Sequence, residues 1–357
     1  MRENAKHLFL RISKWLGLFH LARLFTGKAL RILCYHGFAF RDEADFRPML
    51  FMTPTTFDKR LRFLARHKFP VLRLEDALER LKKNNLPRGA TVITIDDGFY
   101  GVYSEACPRL QAFGLPATTY VTTYYVQKQA PIFRLAVQYL FWRTALPSIR
   151  FHGQTWVRDQ EVNLSNSVEN KRATWEVIDH GEKHCSEDQC QQIAQELAGI
   201  LQVDYGWIKT SRSLSLMNSV ELGELAARGV DVQLHTHRHS LAVDDEQKVR
   251  DEILTNRSVL EKIIGKPLRH LCYPSGIWTR EQWPWLEKLD IDSATTCLPG
   301  LNYPHTPPLG LRRFLDAENI HSIVFEAEQF GYLEVLRRLR HWIGSVSGRL
   351  PAPDRSR

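Results

Sequence analysis

No stretch of this 357-residue chain contains the ~18 consecutive apolar residues that a membrane-spanning helix requires. Internal repeats, low-complexity tracts and glycine-rich turns of the dinucleotide-binding kind are also missing. These absences argue against an integral membrane protein and a dinucleotide-binding fold. Apolar residues make up 43% of the chain and charged residues 25%, which is typical of a folded globular protein.

Acidic residues are missing between Ala5 and Phe40, and again between Glu334 and Arg349. The net charge of +8 is therefore concentrated near the two termini and does not fill a groove. The chain has no motif of the recognised nucleic-acid-binding types. We therefore predict that the protein has no nucleic-acid partner.

The basic N-terminal segment also carries apolar residues at helical spacing, namely Leu8, Ile12, Trp15, Leu16, Phe19 and Leu24. Two interpretations are open: an interfacial helix that lies on an anionic membrane, or a helix packed against the domain with a solvated basic face. Basic residues interrupt the apolar stretch and no small-residue cleavage site follows, which argues against a secretion signal. Residues 332–346 repeat the pattern. We therefore expect a cytoplasmic protein in peripheral contact with the inner face of the membrane.

The six cysteines are scattered, and several lie inside apolar runs. This distribution favours buried free thiols in a reducing compartment. The neighbouring Cys185 and Cys190 could instead form a metal site or a disulfide.

Short apolar or β-branched runs alternate with amphipathic stretches, as in a mainly parallel sheet with helical connections. The runs lie at 31–36, 69–74, 91–96, 117–122, 230–235, 270–273, 293–297 and 311–315. Seven or eight such units favour an α/β barrel over a doubly wound sheet.

The alternation breaks between about 127 and 215, where mainly helical patterns predict an insertion over the catalytic face of the barrel. The predicted segments are a basic amphipathic N-terminal segment at 1–30, the barrel at 31–126 and 216–320, the insertion at 127–215, and a basic amphipathic helix and tail at 321–357. Aromatic residues of the insertion could stack on sugar rings or form a small core of its own, and the core is the favoured interpretation.

Two adjacent carboxylates, Asp96 and Asp97, follow an apolar run and precede Gly98. Alternate residues of a strand point to opposite sides, so the two acids could act differently at a strand end, one as a metal ligand and the other as a base. A buried pair of carboxylates is costly without a cation. The competing interpretation is a strand that ends in an ordinary Asp-Gly turn.

Three histidines, His235, His237 and His239, stand within five residues at the end of the run 230–235. Two histidines with one carboxylate bind divalent metals and leave positions open for water. The spacing of four places His235 and His239 on one side of a turn and points His237 elsewhere. A solvated loop rich in His and Arg is the competing interpretation.

The tetrapeptide Tyr273-Pro274-Ser275-Gly276 follows another apolar run. Proline and glycine fix a turn whose backbone N–H groups could stabilise an oxyanion. The same pattern is also found in turns that merely end a strand.

In this order, the three motifs resemble those of the polysaccharide deacetylases with a NodB-type homology domain, also called carbohydrate esterase family four. The resemblance covers roughly residues 31–125 and 217–316. It implies a distorted, incomplete (β/α) barrel and a bound divalent metal, for which we expect zinc. It also implies roles for five residues: Asp97, His235 and His239 as metal ligands, Asp96 as general base, and the Tyr273 backbone N–H as oxyanion donor.

The chain departs from the family pattern in two places. The late Leu-x-His motif that supplies the general acid is missing from 311–316. Circularly permuted members have the equivalent Tyr-His on the first strand, so the resemblance makes His36 the predicted acid, against a structural histidine at the rim. His237 and His305 are weaker candidates. The family's arginine that orients the base is not marked by a motif, and Arg313 is our candidate.

We therefore predict a metal-dependent enzyme that removes an N-acetyl or N-formyl group from a hexosamine-containing saccharide. Its partner would be an N-acylated sugar or lipid-linked saccharide, an intermediate in bacterial surface-polysaccharide assembly. Two alternatives stay open: a barrel that binds carbohydrate without catalysis, which the missing late histidine favours, and another metal-dependent C–N amidohydrolase. The intact acid pair and ligand histidines favour an enzyme.

Overall fold

The structure is a computed structural model that describes residues 2–346, with side chains over 3–341. The end of the predicted C-terminal segment, beyond Val346, lies outside the described residues. Within them, the strands are β1 Arg31–Tyr35, β2 Gly37–Phe38, β3 Phe51–Met52, β4 Thr91–Ile95, β5 Thr118–Val121, β6 Ser148–Phe151, β7 Gln160–Asn163, β8 Asp231–Leu234, β9 His270–Cys272, β10 Ser293–Thr295 and β11 Phe314–Leu315.

The α-helices over the same residues are α1 Arg2–Trp15, α2 Leu18–Thr26, α3 Glu43–Phe46, α4 Pro54–Arg66, α5 Leu74–Lys82, α6 Cys107–Ala112, α7 Tyr124–Lys128, α8 Phe133–Arg143, α9 Ser167–His184, α10 Glu187–Leu201, α11 Tyr205–Ser211, α12 Ser219–Ala227, α13 Glu246–Ile264, α14 Trp283–Lys288, α15 Ser322–Gln329 and α16 Tyr332–Val346. The helices that connect the sheet strands cover its outer face.

Seven parallel strands form the central sheet in the order β10-β9-β8-β5-β4-β1-β11. Every residue of β1 and β4 is buried, as expected for parallel strands with side chains packed on both faces. One bridge, between Thr295 at the end of β10 and Leu311 just before β11, joins the two edges of the curled sheet. The predicted incomplete (β/α) barrel is confirmed.

The run at 69–74 was predicted to be a strand, and this prediction is wrong. Pro70 has no N–H to give to a sheet ladder, and only Val71 forms a bridge, to Thr91. Leu74 begins α5, which buries Leu74, Ala77 and Leu81 at helical spacing. The apolar residues of this run therefore belong partly to an amphipathic helix.

Residues between β5 and β8 form six of the helices, α7 to α12, and an antiparallel hairpin of β6 and β7. Most of the aromatic residues here pack against one another; the Phe151 and Trp156 rings, for example, lie 5.8 Å apart. Tyr139 of α8 donates a hydrogen bond to Asp42, in the segment that follows β2. The helices therefore form a small core and also contact the barrel.

The two N-terminal helices pack on the two C-terminal ones. Lys14 of α1 pairs with Glu326 of α15, and the Phe19 ring of α2 lies 5.0 Å from the Tyr332 ring of α16. The carbonyl of Gly27, which follows α2, accepts a hydrogen bond from the Gly89 N–H, two residues before β4. Because β4 starts there, α2 lies at the N-terminal ends of the barrel strands. None of the helices between Arg2 and Val346 is both long and apolar enough to cross a bilayer.

Candidate active site

The C-terminal ends of parallel barrel strands meet at one face, and the motif residues lie there. His36 follows β1, Asp96 and Asp97 follow β4, and His235 follows β8. The strand spacing brings together side chains that are up to about 200 residues apart in sequence. Only His237 of the three clustered histidines points away, as the spacing predicted: its Nδ1 lies 2.9 Å from the Thr123 hydroxyl.

Asp96 forms a buried, two-pronged ion pair with Arg313, which lies just before β11. Arg313 Nη1 donates to Asp96 Oδ1 at 2.7 Å and Nη2 donates to Oδ2 at 2.8 Å. Neither side chain is more than 3% exposed. The arginine also donates through Nε to the Thr296 carbonyl, which fixes its plane. Arg313 therefore has the contacts expected of the residue that orients the acid.

Two thiols complete the surroundings of this carboxylate. The Sγ atoms of Cys272 and Cys34 lie 3.3 and 3.5 Å from Asp96 Oδ2. Burial raises the pKa of Cys34 well above its usual value, so this thiol stays protonated and can donate to the carboxylate. All six cysteines, including Cys185 and Cys190, are free.

Burial acts to raise the pKa of Asp96, but the Arg313 guanidinium outweighs it and holds the pKa well below its usual value. The carboxylate is therefore ionised at neutral pH. Its Oδ2 atom accepts a hydrogen bond from Arg313, and the two thiols beside this atom are weak donors. An ionised acid held in one orientation suits a group that must accept a proton.

Asp97 faces the histidines instead. Its Oδ1 lies 3.2 Å from His235 Nε2 and 3.4 Å from His239 Nε2. Burial opposes ionisation, but the hydrogen bond from His235 and the charge of His239 lower the pKa of Asp97 to about 2. Strand alternation would have placed the two acids on opposite sides. It does not apply, because β4 ends at Ile95 and Asp97 has left-handed backbone geometry, with φ +71°.

Left-handed backbone geometry recurs in the site loops. Besides Asp97, the residues Thr236, His239 and Ser275 have φ between +54° and +62°. For a β-branched residue such as Thr236 this geometry is a real outlier and costs about 1–3 kcal/mol. Strain of this kind persists where surrounding contacts fix a functional geometry, and these residues all lie within the three motifs.

Asn256 of α13 holds the histidine loop in place. Its side-chain oxygen accepts from the His235 N–H at 3.1 Å, and its amide group donates to the Val121 carbonyl at 2.9 Å. The side chain is fully buried. It therefore connects the ends of β5 and β8 and sets where His235 emerges.

The residues fit a divalent metal in the composition and position of their donors. One ligand atom each from Asp97, His235 and His239 lies within 4.8 Å of the other two. His235 Nδ1 lies 2.9 Å from the Cys272 carbonyl, the kind of contact that directs Nε2 of a metal-bound histidine toward its ion. Two imidazoles and one carboxylate are a common set for zinc in hydrolytic sites.

His36 and Tyr273 contact the site differently. His36 Nε2 lies 3.9 Å from Asp96 Oδ2, and its side chain is 22% exposed, so it can reach both the carboxylate and a bound molecule. The Tyr273 N–H donates to the Thr295 carbonyl at 3.1 Å. An oxyanion role for this N–H stays a prediction and needs that bond to be shared or released. His305 stacks on Tyr303 and does not join the cluster.

Residues 203–294, which contain His235, His239 and Tyr273, match the family model described as polysaccharide deacetylase. This part of the chain is therefore similar to the polysaccharide deacetylases. This match confirms the resemblance and the enzyme class predicted from the motifs. No curated protein matches the chain.

Solved structures of deacetylases share the fold. The Streptococcus pyogenes deacetylase PplD, in complex with acetate, is 16% identical with a TM-score of 0.56, over 84% of this chain and 98% of PplD. IcaB from Ammonifex degensii is 17% identical with a TM-score of 0.54, over 85% and 97%. A Bacillus cereus polysaccharide deacetylase is 16% identical with a TM-score of 0.50, over 85% and 69%. At these identities the likeness shows the fold.

Three residues of this deacetylase-type site carried no signal that we recognised in the sequence: Cys34, Cys272 and Asn256. Cys34 directly precedes Tyr35-His36, and Cys272 directly precedes Tyr273-Pro274. These positions beside two motifs could have marked both cysteines as site residues. Asn256 is a polar residue on the buried stripe of α13, between Ile253 and Leu260. A buried asparagine in such a stripe requires a partner and so marks a fixed contact.

Proposed function

We propose that the protein hydrolyses the N-acyl group of a hexosamine-containing saccharide, with a divalent metal, most suitably zinc, held by Asp97, His235 and His239. The observation that carries the proposal is the placement of two carboxylates of different function side by side. Asp96 is bound to Arg313, and Asp97 faces two imidazoles. A metal bound there would supply Lewis acidity, which lowers the pKa of a water and polarises an amide carbonyl.

Asp96 acts as the general base in this proposal. Water adds to the amide carbon while Asp96 takes the proton that the water loses. Arg313 and the two thiols keep the carboxylate ionised and fix its direction before the reaction begins. The carboxylate therefore needs no reorganisation when the proton moves.

His36 acts as the general acid. The C–N bond of the tetrahedral intermediate breaks, the acyl group leaves as the carboxylic acid, and His36 protonates the departing amine nitrogen. Its partial exposure and its position beside Asp96, with 3.9 Å between the two side chains, allow it to contact a substrate bound next to the carboxylate. This role would replace the late histidine that is missing from 311–316.

We further propose that the substrate is an N-acetyl or N-formyl sugar carried on a lipid or otherwise activated, at the inner face of the cytoplasmic membrane. Such a molecule would be an intermediate in bacterial surface-polysaccharide assembly. The support is the basic charge of the N-terminal segment and its exposed apolar residues, such as Trp15 and Phe25.

The experiment measures acyl release from lipid-linked and nucleotide-linked N-acetyl and N-formyl hexosamines. We expect acetate or formate from the metal-loaded wild type, none after chelation, and a rate reduced by about 10²–10⁴-fold in Asp96→Asn, because positioned proton transfer contributes that much. Near-normal turnover of Asp96→Asn would contradict the assignment of the base.

Asp316→Asn is the matched control. Asp316 is also buried and also bound by both prongs of an arginine, with Arg60 Nε at 2.8 Å and Nη2 at 3.2 Å. The same substitution there should lower stability but keep the rate per folded molecule. A folded, metal-loaded wild type that releases nothing from any substrate would favour the alternative of a non-catalytic carbohydrate-binding barrel.

A further inference from the structure

The first two helices expose apolar side chains that a folded protein normally buries. Of the seventeen exposed large hydrophobic residues in the described part of the chain, eight lie in α1, in α2 or between them. We call these eight the N-terminal apolar patch: Leu8, Phe9, Ile12, Trp15, Leu16, Leu21, Leu24 and Phe25. Trp15 is 85% exposed and Phe25 is 76% exposed, which is unusual for the largest apolar side chains.

The direction of α1 shows that this exposure is not incidental. At 100° per residue, Leu8, Ile12 and Trp15 fall on one face, which points to solvent. The buried residues of the helix, Leu10 and Ser13, lie on another face. A surface helix of an ordinary globular protein turns its apolar face inward, so α1 has the opposite orientation.

The charge around the patch is positive. Lys6, Arg11 and Lys28 are exposed, and after Glu3 the sequence contains no acidic residue before Asp42. A groove of about 470 Å³ between α1 and α15 is lined by Arg11, Trp15 and His321, together with Lys14 and its partner Glu326. A positive border excludes most like-charged partners, including a second copy of this surface, and matches an anionic one.

We propose that the N-terminal apolar patch docks on the surface of a bilayer that contains anionic lipids. The apolar side chains enter the boundary between head groups and acyl chains, and the basic residues at the border contact lipid phosphates. The patch adjoins α15, and Gly27, at the end of α2, contacts Gly89 just before β4. None of its eight residues belongs to the candidate active site, so docking can succeed or fail independently of the proposed function.

The test is co-sedimentation of the full chain with vesicles of phosphatidylcholine alone and of phosphatidylcholine with phosphatidylglycerol, at low and high salt. The patch variant is Trp15→Gln/Phe25→Gln. The control is Val168→Gln/Val220→Gln, which replaces two residues that are 74% and 66% exposed on α9 and α12. A third variant, Lys6→Gln/Arg11→Gln, removes charge only.

We expect wild type and control to bind the anionic vesicles equally, and the patch variant to bind about 100-fold more weakly, because two large apolar side chains no longer leave water. The charge variant should lose the preference for anionic vesicles and the salt dependence. Hydrolysis of a water-soluble substrate should be equal in all four proteins. The proposal is overturned if wild type ignores anionic vesicles, if the patch variant binds like wild type, or if sedimentation velocity shows that the patch only joins two copies of the chain.

Discussion

The catalytic face of the barrel and the N-terminal helices break the usual distribution of residues in opposite directions. At the catalytic face, Asp96 and Arg313 are charged and almost fully buried. In α1 and α2, Trp15 and Phe25 are apolar and almost fully exposed. Stability alone favours neither arrangement, since buried charges lose hydration and exposed apolar groups remain in water. Such conflicts with the folding rules are where function is most often found.

The two regions differ in how the conflict is resolved. The buried charges are satisfied within the molecule, by each other, by thiols and by backbone carbonyls. The exposed apolar residues contact the rest of the protein only in part, as Phe9 does through Tyr332, and most of their surface stays in water until something outside the chain covers it. Substitutions at the catalytic face should therefore have large effects on the isolated protein. Those in the patch should have effects that appear mainly when a membrane is present.

The largest effect is expected for the ligand histidines. His235→Ala should abolish stoichiometric metal binding, measured by elemental analysis after gel filtration. Acyl release should fall by more than the ~100-fold that loss of a group supporting a metal ligand typically costs. His237→Ala is the control: it lies in the same loop, is also buried, but faces Thr123. If His237→Ala loses metal while His235→Ala retains it, the ligand set is wrong.

The next largest effect concerns the Asp96–Arg313 pair. Arg313→Met leaves a buried carboxylate without its cation and should lower the free energy of unfolding by about 3–5 kcal/mol, measured by denaturant titration. The double variant Asp96→Asn/Arg313→Met should recover part of this loss, because the uncompensated charge is gone. Arg60→Met breaks the equivalent pair with Asp316 and should cost similar stability, yet its rate per folded molecule should fall far less. Equal loss of rate in Arg60→Met and Arg313→Met would show that Arg313 has no specific role in orienting the base.

A smaller effect is expected at Glu43, a buried acid between β2 and β3. Among the residues that the structure describes it has no cationic partner: its Oε1 is unpaired and its Oε2 accepts the Arg41 N–H. Burial raises the pKa of Glu43 to about 7. The folded state therefore favours the protonated form, and wild-type stability is lost as the pH rises from 4.5 through 7. Glu43→Gln should remove this loss, which is at most about 3 kcal/mol.

The measurement at Glu43 is the difference in unfolding free energy between wild type and Glu43→Gln at several pH values. The two proteins should be similar near pH 4.5, and the variant should be more stable at pH 8. Asp45→Asn, at an exposed acid of the same helix, controls for loss of a negative charge. A difference that does not change with pH would mean that Glu43 finds a partner in solution.

The motifs predicted that the proposed metal ligands lie close together, because each motif is local in sequence and the C-terminal ends of barrel strands converge. The contact of Arg313 with Asp96 joins residues 217 apart, and no local pattern distinguishes a buried arginine from a surface one. Periodicity likewise showed that α1 is amphipathic. A helix that lies on a membrane and a helix that packs against the domain have the same period, so the pattern did not distinguish them. Which face packs depends on the complementary surface of α15, which only the folded structure displays. The false strand at 69–74 has the same origin, since a short apolar run fits a strand or the start of a helix.

The position of Arg313 in the chain has a consequence for biosynthesis. The proposed metal ligands are all synthesised before residue 240, but Arg313, which pairs with Asp96, lies just before β11, in the same segment as Leu311, which bridges the barrel seam. A chain in synthesis therefore contains the proposed ligands and Asp96 before it contains the arginine that pairs with that acid. The Asp96–Arg313 pair can therefore form only after nearly the whole barrel has been synthesised, and a truncated chain that ends before Arg313 cannot have it.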